Sequence, residues 1–317
     1  MDLMFTNAQR VDQGVLSAYA LDLSFGEDEN DFELTLGADE PVLEFGAFVY
    51  MEGTEYGGIV DGKKTSTNGE SITYMGRTWH GMLNSKVIEP DAGEKYLIVS
   101  GDANRILDLM IRRLGLRELF SVPDSNAKIN ISKYQFARYC KGYDGINALL
   151  AANCAKLVVA WENRSIRLSA VPIVDYTDAP IDGDVATLTV EQHGKKVNHL
   201  VCLGKGQLTN REVIHLYANQ FGQIVDTPYY TGIDEIADVY ENSNADDLEE
   251  EGIEKLKELW SKDTAEIALT ENDLVYDIGD IIGATDAKSG VSVDEKVTQK
   301  IVKIKNGAVS IDYKTGG

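Results

Sequence analysis

No stretch of this 317-residue chain approaches the roughly 20 apolar residues that cross a bilayer as a helix. Met1 to Gln13 is polar and has no apolar signal core, so neither secretion nor membrane insertion is expected. Cysteine is scarce. Cys140, Cys154 and Cys202 stand apart without CxxC spacing, which argues against a disulfide framework or zinc cluster and leaves buried free thiols as the expectation. The 4 histidines never pair at i, i+4, so the sequence offers no metal site. Positive charge is in deficit: 30 Lys and Arg face 52 Asp and Glu, a formal net charge of −22. Such a chain lacks the basic surface that grips nucleic acid by its phosphates. Solubility is the simplest meaning of the excess.

Catalytic motifs are missing as well. There is no GxSxG, no HExxH, no GxGxxG entering a helix and no GxxxxGK[ST]. Gly204-Lys205-Gly206 follows a strand but runs into polar Gln207 to Asn210 without opening a helix, and reads as a turn. His80 and Cys140 make a nucleophilic pair only if the fold brings them within hydrogen-bond reach, and structural roles are expected for both. Asp273, Asp277 and Asp280 lack the spacing of a calcium loop and read as solvated turn acids. With 52 acids, a carboxylate pair for glycoside hydrolysis can be nominated anywhere, so the sequence names none. Trp79, Trp161 and Trp260 are expected in core or interface packing rather than on a sugar platform. No catalytic, cofactor-binding or metal residue is assigned, and no enzyme is expected.

What the sequence does have is β patterning. Tyr19, Leu21, Leu23 and Phe25 alternate with small or polar residues, as do Phe32, Leu34 and Leu36. A period of two puts each set on one face of a strand, and Gly26 to Asp31 supplies the hairpin turn. Phe45 to Met51 with Glu55 to Lys64, then Ser71 to Met75 after the Asn68-Gly69 turn, continue the pattern toward a small barrel. Between about 91 and 183 the texture changes. Tyr96 to Val99 reads as a strand, and Ser100-Gly101-Asp102 caps a helix carrying Ala103, Ile106, Leu107, Met110, Ile111 and Leu114 up to Gly115. A second helix is expected from about Asp144 to Asn153, then a hairpin, Lys156 to Trp161 and Ser165 to Ala170, around Asn163-Arg164. Strands return at Val185 to Gln192, Asn198 to Gly204 and Arg211 to Tyr217. An acidic helical interval follows from Ile233 to Lys262, and a last hairpin, Glu295 to Lys305 and Ala308 to Tyr313, turns at Asn306-Gly307. The expected fold is α+β, mainly β: a first barrel over 1–90, an α+β insert over 91–183 and a second barrel over 184–317. The chain is expected to end at Gly316-Gly317 without an appended module.

Three stretches resemble phage tail hub proteins, including the hub-like N-terminal part of tail-associated lysins and the hubs of contractile tails. The first joins Tyr56-Gly57-Gly58-Ile59-Val60, Ile72-Thr73-Tyr74-Met75-Gly76-Arg77 and Leu83 to Pro90, and is similar to the first hub barrel. The second is the order of elements in the insert. The third, Tyr276-Asp277-Ile278-Gly279-Asp280-Ile281-Ile282 with Val297 to Ile304, Gly307 and Ile311-Asp312-Tyr313, resembles the closing barrel. The resemblance implies a homotrimer in the virion tail, assembled in the host cytoplasm, with two tube-like barrels per subunit facing a six-fold tube. Its partners would be a tail tube or distal tail protein, a tape measure protein, and a three-fold spike or fibre. A closed ring of this kind needs two different complementary faces on each subunit. An acidic lumen would let DNA pass without holding it. Cell-wall hydrolysis would belong to a partner.

Overall fold

The computed structural model describes residues 2–66, 71–178, 186–191, 196–243, 247–260, 264–269, 276–286, 291–305 and 307–316. It is mainly β, with 45% strand and 17% helix. Two compact units are present, one made of residues 1–188 and 266–316 and the other of residues 189–265.

A 12-stranded sheet dominates the larger unit. Its order is Ala186–Glu191, Thr264–Leu269, Ala308–Thr315, Val291–Lys305, Tyr19–Gly26, Asp31–Gly37, Ser71–Thr78, Gly57–Thr65, Phe48–Tyr50, Leu3–Thr6 and Asp12–Leu16, with Ile281–Asp286 attached to Val291–Lys305. The alternation in sequence becomes register. Leu21 lies opposite Leu34 and Leu23 opposite Phe32, and on the other side Val302 meets Leu23 and Ile304 meets Leu21. These six side chains are buried in one core. Strands from the two ends of the chain thus share one sheet. The path is open, and among the described residues no strand set closes into a barrel.

The glycines of the first resembling stretch have a packing reason. Val60 pairs with Gly76 and Gly58 with Thr78. A Cβ on Gly76 would lie 1.8 Å from the Ile59 carbonyl, and one on Gly58 would lie 2.8 Å from the Phe32 ring. A Cβ on Gly57 would meet the Trp79 ring at 2.6 Å. Bare backbone here leaves room for the Phe32 and Trp79 rings to approach closely.

Helix α1, Trp79–Asn84, starts where Thr78 accepts the Gly81 N–H at 3.3 Å. Helix α2, Ala103–Arg113, is capped by Asp102 as expected, and Gly115 follows it at φ +69. Helix α3 is Gly142–Ala151. They pack with the hairpin Ala155–Glu162 and Ser165–Pro172, whose turn puts Asn163 and Arg164 both at positive φ, as a type I′ turn requires. Trp79 and Trp161 stack at 5.2 Å inside this second core.

In the smaller unit, four strands run in the order Ile224–Val225, Val213–Ala218, His199–Leu203 and Ala237–Glu241. Helix α4, Leu248–Trp260, covers one face, burying Leu256 and Leu259 on Leu200, Cys202 and Leu216. The helical interval expected over 233–262 is therefore corrected. Its first part is a 3-10 turn, Gly232–Asp234, and a strand parallel to His199–Leu203. Val239 and Tyr240 suit a pleated strand, and pairing with the central strand outweighs the helical propensity of Glu235 and Glu241. Asn68-Gly69, Asn306, Asp273 and the ends of the Val185 to Gln192 strand lie outside the described residues.

Candidate functional site: an acidic sheet face and a buried ionic clasp

The large sheet has two chemically opposed faces. Leu21, Leu23 and Phe25 point into the core, so Asp22 and Ser24 point away from it; Asp31 and Glu33 do the same on the next strand. Register sets Asp22 directly opposite Glu33. Glu29, Asp61, Met75, Arg77, Ile301 and Lys303 join them around an open concavity of ≈ 810 Å³. Two local pairs reduce the charge. Arg77 donates to Asp61 from Nε at 2.7 Å and Nη2 at 2.8 Å, where a register shift between Val60 and Gly62 re-aims Asp61. Lys303 reaches Asp312 at 3.4 Å. Hydrogen bonds from Arg77 hold the Asp61 carboxyl below its ordinary range. Asp22 and Asp31 go the other way. Burial pushes Asp31 up, and Glu29, Glu33 and Asp22 add to it. Burial also raises Asp22; Lys303 pulls it back, and Glu33, Asp312 and Glu29 push it up again. Like charges opposed across strands destabilise a sheet, so this face keeps its acids at a cost in stability.

Behind it, on the core side, Lys300 occupies the strand position that alternation reserves for apolar residues and is 2% exposed. Its Nζ donates to Glu55 Oε1 at 2.6 Å, stands 4.0 Å from Asp277 Oδ1, and lies 6.0 Å and 5.9 Å from the Phe25 and Tyr56 ring centroids. Lys156, in the insert hairpin, donates at 2.7 Å to both Asp277 Oδ2 and Asp280 Oδ2. Asp280 also accepts the backbone N–H of Val174 at 2.8 Å and of Asp277 at 3.0 Å. Burial pulls both ammonium groups down, but the facing carboxylates more than offset it and both end above their ordinary value. His80 stacks on Phe25 at 4.9 Å and faces Glu55 at 3.7 Å, and burial, helped by Lys300, lowers it to about 3. Glu55, Tyr56, His80, Asp277 and Lys300 line a cavity of ≈ 230 Å³. The network ties the N-terminal strands, the insert hairpin and the C-terminal strand together.

No family model matches the sequence, and no curated protein matches it either. Solved structures do. The 43 kDa tail protein of prophage MuSo2 from Shewanella oneidensis matches with a TM-score of 0.57 at 11% identity, over 99% of this chain and 98% of that one. The structure of the phage P2 baseplate in its activated conformation with Ca contains a chain matching at 0.55 and 12%, over 100% and 99%. Prophage tail protein gp18 from Listeria monocytogenes EGD-e matches at 0.52 and 13%, over 99% and 94%. This chain has the fold of phage tail and baseplate proteins.

Within that tail-protein fold, the residues weighed for chemistry have these positions. His80 is a core residue: its Nδ1 has no hydrogen-bond partner, and Cys140 is half-buried on the short strand Cys140–Lys141. Gly204 to Gly206 begin the hairpin connection between His199–Leu203 and Val213–Ala218, with Gly206 at φ +100 ahead of the 3-10 turn Leu208–Asn210. Trp79 and Trp161 are buried, and Trp260 packs beside the smaller unit's core. The expectation that Asp280 is a solvated turn acid is corrected. It is 0% exposed and neutralised by Lys156, which no spacing rule among the acids alone reveals. Among the described residues no group of three or more metal-ligating side chains comes together. Lys300 was open to detection, since it continues the Val302, Ile304 alternation on the core face.

Proposed function

We propose that this chain is a structural virion protein of a phage-type tail, a homotrimeric hub at the distal end of the tail tube that joins the six-fold tube to a three-fold tip or spike. The acidic face of the large sheet carries the reading. There Asp22 opposes Glu33, with Asp31, Glu29 and Asp61 beside them. We place this face along the DNA channel, where fixed carboxylates repel phosphate and let the duplex slide. The N-terminal and C-terminal strand sets stand for two tube-like barrels, 1–90 and 184–317, with 91–183 as the outer insert. Full-length likeness to tail and baseplate chains supports this reading. The partners are a tail tube or distal tail protein, a tape measure protein, and a spike or fibre. The protein is not an enzyme, and it sits in the virion tail. Light scattering across a concentration series in moderate salt tests the assembly. A trimer, or a shift toward one as concentration rises, supports the hub. A monomer at every concentration that also fails to trimerise with a tube partner present removes it.

A further inference from the structure

The smaller unit carries a polar chain that the hub reading does not use. Helix α4 covers one face of its sheet. On the other face His199 and His215 project from neighbouring strands, His199 opposite Tyr217 and His215 opposite Val201. His199 Nδ1 lies 2.6 Å from Glu235 Oε1, and His199 Nε2 lies 2.8 Å from His215 Nδ1. Tyr217 stacks on His199 at 4.5 Å and fixes the plane of its ring.

Counting protons on this chain gives its behaviour. The Glu235 carboxylate only accepts, so His199 carries hydrogen on Nδ1. With both rings neutral, His199 Nε2 offers a lone pair and His215 donates to it from Nδ1. One added proton keeps the bond. Either His215 becomes the cation and still donates, or His199 becomes the cation, donating from both nitrogens, while His215 holds its hydrogen on Nε2. A second added proton leaves an N–H on each side of the 2.8 Å contact, and the bond is lost.

We propose that Glu235, His199 and His215 form a proton-responsive latch on the four-stranded sheet, which holds with one added proton and opens with two. The latch ties strands His199–Leu203 and Val213–Ala218 to the loop before Ala237–Glu241. Among the described residues, the charged and titratable groups on its face are Tyr217 from the antiparallel strand, Glu235 and, further along, the Arg211–Glu241 pair, and Lys196 stands in the segment leading into His199. Ala237 and Val239 from the parallel strand and Val225 from the short strand add no charge. Asp226 and Asp234 stand in the adjoining loops.

Only 4 histidines occur in the chain, so their imidazoles can be followed in the intact protein by long-range nitrogen–proton correlation, assigned with single His→Gln variants. At neutral pH His199 is expected as the Nδ1–H form. On acidification the 2.8 Å bond between His199 and His215 is expected to survive one added proton and to be lost when both rings are cations. His215→Gln should change the response of the His199 ring signals to added acid, and Glu235→Gln should remove the preference for Nδ1–H. A His199 response indifferent to His215→Gln overturns the latch. So does an Nε2–H form of His199 at neutral pH.

Discussion

Replacing Lys300 with Met gives the sharpest test of the buried clasp. Asp277 keeps its 2.7 Å bond to Lys156, so the group left without a partner is Glu55, whose side chain is 17% exposed. Stranding one member of a buried pair costs about 3–5 kcal/mol, and loss of the ammonium from the Phe25 and Tyr56 rings falls within that figure. Changing Glu55 to Gln should cost less, about 1–2 kcal/mol, because Lys300 still faces Asp277 at 4.0 Å. The double variant Lys300→Met with Glu55→Leu should return to within about 1 kcal/mol of the parent, since apolar residues replace both ions together. Urea unfolding at pH 7 reads these differences by linear extrapolation. Trp79 and Trp161 report on the larger unit, and a Trp260→Phe background removes the signal from the smaller one. Added salt should leave the differences nearly intact, because buried charges are poorly screened. The Lys300 pKa is raised on folding, so its contribution is fully present below about 10.4 and fades only as pH climbs toward the folded value. A Lys300→Met loss under about 1 kcal/mol, or a double variant no better than the single, refutes the clasp.

His80 falls from 6.5 when unfolded to about 3 when folded, so the unfolded chain binds the extra proton between those values and stability drops as pH falls through them. About 2 kcal/mol should be gone by pH 5, and His80→Phe should abolish that part of the acid loss in urea titrations at several pH values. Asp22→Asn should raise stability by up to about 1 kcal/mol at low ionic strength, with a smaller gain in high salt. Because the Asp22 carboxyl is raised by folding, its penalty is present above the folded value, and the gain should vanish as pH falls to the unfolded one; melting curves read both effects. Gly76→Ala forces a Cβ to within 1.8 Å of the Ile59 carbonyl and should cost about 3 kcal/mol or more, while Gly37→Ala, with nothing within 4 Å, should be nearly neutral in the same chemical denaturation assay.

Much of the local structure was legible because local chemistry decides it. Alternation marked Tyr19–Gly26 and Asp31–Gly37, Asp102 marked the start of α2, and Asn163-Arg164 marked a hairpin turn. What could not be read was long-range pairing. Nothing near Leu23 says that Val302 is its neighbour, and no spacing rule joins Glu55 to Lys300 across 245 residues. The acidic stretch before α4 was misread for a related reason: Ala237–Glu241 is a strand because His199–Leu203 offers it a parallel partner. The acidic face lay between these cases. Asp22 and Glu33 stand at outward strand positions in the sequence alternation, but Glu29 and Asp31 fall in the expected turn, and the opposition of Asp22 to Glu33 needed the hairpin register.

The placement of charge separates two explanations that composition leaves equal. A chain that is acidic only for solubility has no reason to align carboxylates where they oppose one another, and has exposed loops on which to scatter them. Here the two sides of one sheet treat charge differently. On the core side the buried ammonium of Lys300 meets Glu55 at 2.6 Å, and beside it Lys156 of the insert hairpin meets Asp277 and Asp280 at 2.7 Å. On the outer side Asp22, Glu33, Asp31 and Glu29 crowd together, and folding raises two of them instead of relieving them. Arg77 and Lys303 relieve part of this charge, and the part left over fits the channel-facing role proposed above. In the proposed hub, a row of outward carboxylates such as Asp22, Glu33 and Asp31 would serve as a fixed negative wall along which a polyanion moves.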